Sequence, residues 1–244
     1  MIPLRLAVQF LTRIPVGVPA APRATDLGRS VAFYPLVGLG MGLVLAAVGA
    51  LVGQGPGLLA AALVVGLWAT ATGFLHLDGL ADSADAWLGG QGDAERTMAI
   101  LKDAYAGPAG VAAVVLVLVI KVAALAPLMA GGGLAALVLA PLLARAGTAA
   151  LLLITPYVRS GGLGESAAAN TPRPAVWLAV GLGALLALLM GGSSGLLALL
   201  VAGIVLVGLR WLMARRIGGV TGDTLGAATE ITEAVVLAVF AFGV

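Results

Sequence analysis

An all-α, polytopic transmembrane bundle of about seven spans is the fold class this sequence predicts, from its composition, the length of its apolar runs and the alternation of its connecting loops. Hydrophobic residues make up 61% of the 244 positions and charged residues only 10%, against roughly 25% charged in a soluble domain. Mean hydropathy is +1.13. Apolar stretches near the ~20 residues that a helix needs to cross ~30 Å of hydrocarbon recur along the whole length. One integral domain over 1–244, beginning with an N-terminal interfacial segment, accommodates them all.

Met1 to Val8 is a short apolar run that ends at Gln9 and is broken by Arg13 and Pro15. No cleavage site follows, so it reads as an interfacial part of the mature protein. Punctuation by Gly, Pro and charge then places spans near 31–53, 58–76, 109–130, 134–155, 175–191, 195–213 and 225–243. The connections fall into two chemical sets. Gln54 to Gly57, Gly131 to Gly133 and Gly192 to Ser194 are tiny and uncharged. The other set holds the N-terminal stretch with Arg5, Arg13, Arg23 and Arg29, the acidic loop 77–108 with Arg96 and Lys102, the loop 156–174 with Arg159 and Arg173, and the loop 214–224 with Arg215 and Arg216, which contains the Gly-rich turn 218–224. The sets alternate strictly, and the positive-inside rule puts every charged connection in the cytoplasm. The expected location is a multi-pass protein of the cytoplasmic (inner) membrane with one working face, toward the cytoplasm.

Cysteine is absent, which excludes disulfides, thiolate metal sites and a cysteine nucleophile. A net charge of +2 with scattered basic residues argues against nucleic acid as a partner. Membrane lipid is the expected surrounding; whether the chain forms a homo-oligomer stays open.

The richest chemistry leaves the second span in Gly73-Phe-Leu-His-Leu-Asp-Gly-Leu-Ala-Asp-Ser-Ala-Asp-Ala-Trp87. On a helix, Asp78, Asp82 and Asp85 stand at i, i+4 and i+7, within about 60° of one face. Carboxylates so close call for a cation, and oxygen-only ligands suit Mg²⁺ or Mn²⁺ held with substrate phosphate. Asp103 is a candidate fourth ligand folding back across the connection. A solvated acidic loop is the bland alternative, but Gly79, Ala81, Ser83 and Ala84 leave room for a bulky anion that a mere surface has no need of. His76, the single histidine, points away from these acids on a continuous helix, which favours a supporting role.

A second constellation, Gly218-Gly-Val-Thr-Gly-Asp-Thr-Leu-Gly-Ala-Ala-Thr-Glu-Ile-Thr-Glu233, enters the last span. Thr221, Gly222, Asp223 and Thr224 at a helix start offer N–H groups and hydroxyls to an anion; a plain N-cap explains the start equally well. Neither reading explains Glu230 and Glu233, which lie ~10–15 Å further along the helix. Carboxylates at that depth cost roughly 2.5 kcal/mol or more each unless partnered. Lys121 and Arg145, in the middles of the third and fourth spans, are the candidate partners, through structural ion pairs or around a phosphate drawn into a wet interior.

These segments, with Phe10-Leu-Thr-Arg-Ile-Pro15, Phe33-Tyr-Pro-Leu-Val-Gly-Leu-Gly40 and Lys102-Asp103, resemble the cobalamin synthase (adenosylcobinamide-GDP ribazoletransferase) family, in order from residue 10 to 233. The resemblance implies an enzyme that joins adenosylcobinamide-GDP to α-ribazole or its 5′-phosphate, releases GMP and requires Mg²⁺, in the last assembly step of vitamin B12. Joined to the residues above, it assigns the metal to Asp78, Asp82, Asp85 and Asp103. Arg96, Lys102 and the turn Thr221, Gly222, Asp223 and Thr224 then contact phosphate or guanosine, with Glu230 as proton acceptor beside Asp82, or Asp78 in its place. A fainter likeness to membrane CDP-alcohol phosphotransferases stops short: Asp82-Ser-Ala-Asp85 is followed by Ala86 where that family has Gly, and Gly107 stands where it has its fourth aspartate. A cation-coupled transporter running through Glu230, Glu233, Lys121 and Arg145 is the rival of another class, but its site belongs at the midplane. A scaffold without catalysis explains neither the aspartate spacing nor the Gly-Asp turn.

Overall fold

The computed structural model describes residues 2–103, 105–131 and 133–243. The chain folds as α1 (Ile2–Leu11), α2 (Ala24–Ser30), a 3₁₀ turn (Val31–Phe33) running on into α3 (Tyr34–Val52), α4 (Gly57–Ala71), α5 (Leu75–Gly89), α6 (Ala94–Ile100), α7 (Pro108–Ala130), α8 (Leu134–Ile154), α9 (Leu163–Ala169), α10 (Arg173–Ile217) and α11 (Gly222–Phe242). Among the described residues the one strand-like pairing is an isolated parallel bridge between Tyr157 and Val220.

Five helices are long and apolar enough to cross a membrane, and α4 with α5 makes a sixth if the bent pair counts as one span. The 45-residue α10 is too long for one crossing: at ~1.5 Å per residue it would reach ~67 Å. It doubles back instead. Gly192 takes φ 53° and ψ −127°, and a Cβ added at Gly195 would collide with the carbonyl of Ala187, a residue two turns away on any continuous helix. The arms 173–191 and 193–217 are therefore two antiparallel crossings, as the separate runs at 175–191 and 195–213 predict.

The core is organised around α8, whose span is 89% buried. Its neighbour α3 approaches closely because Gly38 and Gly42 have no side chain: a Cβ at either would strike the backbone of Pro141 or Val138. Opposite burial marks α7 and α10, only 22% and 17% buried over their spans, with Leu116, Val119, Leu189 and Ile204 turned outward. These are lipid-facing surfaces, which without water need no polar groups.

The expected loop 77–108 is mostly helix. α5 leaves α4 at 88° through Gly73 and Phe74, both near φ +61°, and the Arg13 side chain lies where a Gly73 side chain would point. Phe74 therefore occupies a left-handed conformation that few non-glycine residues adopt. The corner frees α5 from the direction of the span and lays its aspartate face across the end of α11.

Both sets of connections keep to their own ends. Gly53 lies against Met129 and Gly57 against Ala126, which sets the 54–57 turn beside the 131–133 turn, and Gly243 lies against the Ser194 hydroxyl, which sets the 192–194 turn beside the end of α11. At the other end the 155–162 connection pairs with residue 220 through Val158 N–H to Val220 O (2.9 Å) and Val220 N–H to Pro156 O (2.8 Å). Arg216 donates there to Trp87 O at 3.1 Å and Thr97 Oγ1 at 3.3 Å, tying α10 to α5 and α6.

Candidate active site

Two glycines bring the chemical segments together. Gly79 on α5 lies against the backbone of Asp223, and Gly226, one turn into α11, faces the backbone of His76 and the Cα of Gly79. A side chain at either would force the helices apart. Asp78, Asp82 and Asp223 consequently share one neighbourhood: the charges of Asp78, Asp223 and Asp85 all act on Asp82. Asp78 is exposed, and Asp82 and Asp223 are half-buried.

A cavity of ≈ 130 Å³ lies behind this edge, with Asp78, Asp223, His76 and Tyr157 in its wall and Leu152 and Leu225 deeper in. Arg159 supplies a positive charge beside Asp223, Nη1 donating to Asp223 Oδ2 at 2.8 Å. Burial pushes the half-buried Tyr157 phenol above its ordinary pKa, opposed by the backbone of Gly222. It stays a neutral hydroxyl beside the carboxylates.

The four acids expected to bind metal separate into two groups. Asp85 Oδ2 accepts the Gly107 N–H at 2.6 Å and Oδ1 the Gly110 N–H at 3.0 Å, so this carboxylate satisfies two orphan donors at the start of α7. Asp103 is exposed and accepts the Tyr105 N–H of its own loop at 3.2 Å. Among the described residues no group of three or more His, Asp or Glu is placed to hold an ion by itself. Arg96 and Lys102 are exposed, and neither borders the cavity.

The Thr221–Thr224 turn serves its helix. Thr224 N–H donates to Thr221 Oγ1 (3.2 Å) and Thr221 N–H to Thr224 Oγ1 (2.9 Å), a reciprocal capping box, and both threonines are fully buried. That use of both hydroxyls argues against their contact with substrate; Gly222 and Asp223 alone of the turn border the cavity. Glu230 is likewise engaged elsewhere. Its Oε2 lies 2.6 Å from Lys121 Nζ, Lys121 also meets Glu233, and Arg145 meets Glu233 from the far side. Lys121 stacks 4.6 Å over the Trp68 ring. The four buried charges balance, as the sequence predicts for structural pairs, and Glu230 does not border the cavity.

Sequence reasoning missed Arg159 and Tyr157 as site residues. Arg159 counted only as one of the positive charges of its loop; nothing local announces that the Tyr157–Val220 bridge carries it to Asp223.

The segments that converge here lie within a match to the cobalamin-5-phosphate synthase family over residues 3–241. The chain belongs to that family. Among curated members of the cobalamin-5-phosphate synthase family, the adenosylcobinamide-GDP ribazoletransferase of Pseudomonas fluorescens strain Pf-5 is 51% identical over 97% of this chain and 98% of its own length. That of Pseudomonas putida is 49% identical over the full length of both. No solved structure matches the chain.

Proposed function

We propose that the chain is an adenosylcobinamide-GDP ribazoletransferase of the cytoplasmic membrane, working on its cytoplasmic face in the final assembly step of vitamin B12. The observation that carries this reading is end-to-end similarity, at about half identity, to relatives bearing that name. The convergence of α5 and α11 on one acidic cavity supports it, because it gathers Asp78 and Asp223 from distant parts of the chain at one wall.

In the reaction a ribazole hydroxyl attacks the cobinamide-side phosphorus of the diphosphate. One P–O bond forms, the bond to the GMP oxygen breaks, and the hydroxyl proton passes to a carboxylate. Asp78, exposed at the cavity wall, is that acceptor in place of Glu230, whose carboxylate Lys121 already engages. Arg159 exchanges part of its contact with Asp223 for a phosphate oxygen, as a guanidinium held at a half-buried edge can.

The donor set fits Mg²⁺. Asp82 and Asp223 would hold it as hard oxygen donors, in a neighbourhood where Asp78 adds further negative charge and Arg159 offsets only part of it. Magnesium is ordinarily held by one or two carboxylates plus substrate phosphates, so a ready-made cage of three acids is not required. When bound, the ion supplies charge neutralisation on the phosphates and on departing GMP. Purified Asp82→Asn assayed for Mg²⁺-dependent GMP release should lose activity by about 100-fold or more, on the scale of a lost transition-state contact. Near-normal turnover would remove Asp82 from the metal site.

A further inference from the structure

Resting on the ribazoletransferase reading, and extending it to where one substrate sits, we infer that the cavity behind Asp78 receives the flat heteroaromatic base of the ribazole, with its sugar directed outward to the acidic edge. Three features of the cavity point to this occupant.

The first is size. At ≈ 130 Å³ the space matches one fused bicyclic ring. The second is the wall. Leu11, Leu152, Leu225 and Ala167 are buried apolar side chains around it, while the hydroxyls of Thr148 and Thr229 are satisfied by one another at 2.7 Å and by backbone carbonyls. Guanine carries several donors and acceptors, and inward of Asp78 and Asp223 the wall offers it only His76 and the Tyr34 and Tyr157 hydroxyls; each group left unpaired costs roughly 1–3 kcal/mol. A ring with apolar edges and a single nitrogen acceptor loses almost nothing. The third is an orphan: Nδ1 of His76 is buried without a hydrogen-bond partner, and His76 belongs to this wall. Buried polar atoms nearly always find partners. In the tautomer protonated at Nδ1, the imidazole donates to the ring nitrogen of the base.

The polar end has the matching order. Asp78 and Asp223 stand at the rim, so a nucleoside seated base-first presents its sugar hydroxyls to carboxylates, and the attacking hydroxyl meets its proton acceptor at Asp78. His76 thereby acts as a specificity residue for the acceptor substrate. The GDP half of the other substrate stays outside, near Arg159.

The test uses the full-length protein in detergent, with separate KM values for α-ribazole and for adenosylcobinamide-GDP. His76→Phe keeps a flat ring and removes the donor; Ala167→Leu adds bulk from the short helix α9. Each should raise the ribazole KM about tenfold, while the KM for adenosylcobinamide-GDP stays within about twofold. Equilibrium titration of wild-type protein with α-ribazole alone should show binding that guanosine does not displace. Unchanged ribazole KM in both variants, or displacement by guanosine, overturns the assignment. If wild-type protein releases no GMP, the ribazoletransferase reading is what falls, and the titration still judges the cavity by whether a benzimidazole riboside binds and whether either variant abolishes it.

Discussion

Arg159 and Asp85 show how a single contact decides what a charged group is for. Asp85 belongs by spacing to the same helical face as Asp78 and Asp82, yet two backbone N–H donors of the next helix take up its oxygens. Arg159 lies 64 residues from Asp223 in the chain and still meets it. Replacing Arg159 by alanine removes a charge-assisted contact of roughly 1.5–3 kcal/mol. The kcat/KM for the GDP-bearing substrate should fall about 10- to 100-fold, with Arg159→Lys retaining part of it; steady-state GMP release decides, and unaltered kinetics would place the phosphate elsewhere. At this scale the acids Asp78, Asp82 and Asp223 were legible in the sequence, because local spacing and glycine content announce them. Their division from Asp85 and Asp103 was not, since it depends on where distant N–H groups end up.

The pairing of α5 with α11 rests on absent side chains. Gly79 and Gly226 let the helices approach until backbone meets backbone, which is how two segments 147 residues apart (79 to 226) present carboxylates to one cavity. Gly79→Leu should separate them and cost about 1–3 kcal/mol as overpacking, with GMP release falling far more than the melting temperature in detergent. Gly181→Leu, on a face of α10 with open space around it, is the matched control and should alter neither. Equal tolerance of both substitutions would mean that close approach is not needed for turnover. The helical spans were readable from apolar runs, including the two arms of α10 that secondary structure alone merges into one. The corner at Gly73 and Phe74 was not readable, because a left-handed phenylalanine leaves no signature in composition.

For the molecule as a whole, charge sorts the connections between two ends of the bundle, and the fold keeps that sorting by packing the charged segments on one another around residues 155–162 and 216–224. The natural chain has no cysteine, so single reporters can be introduced on an unmodified background. Ser160→Cys and Ser193→Cys, both at exposed positions, should respond oppositely to a membrane-impermeant maleimide. Position 193 should label in intact cells and position 160 only after lysis; labelling of position 160 from outside would reverse the proposed orientation.

The quartet of Lys121, Arg145, Glu230 and Glu233 gives this architecture a keyway. Sliding α11 by one turn, or rotating it by one residue, would strand at least one charge in hydrocarbon, and losing one partner of a buried pair is worth roughly 3–5 kcal/mol. Asp223 sits two turns above Glu230 on the same rod. The last helix is thereby locked in rotation and depth, and Asp223 keeps its place beside Gly79 because charges buried two turns below it cannot move.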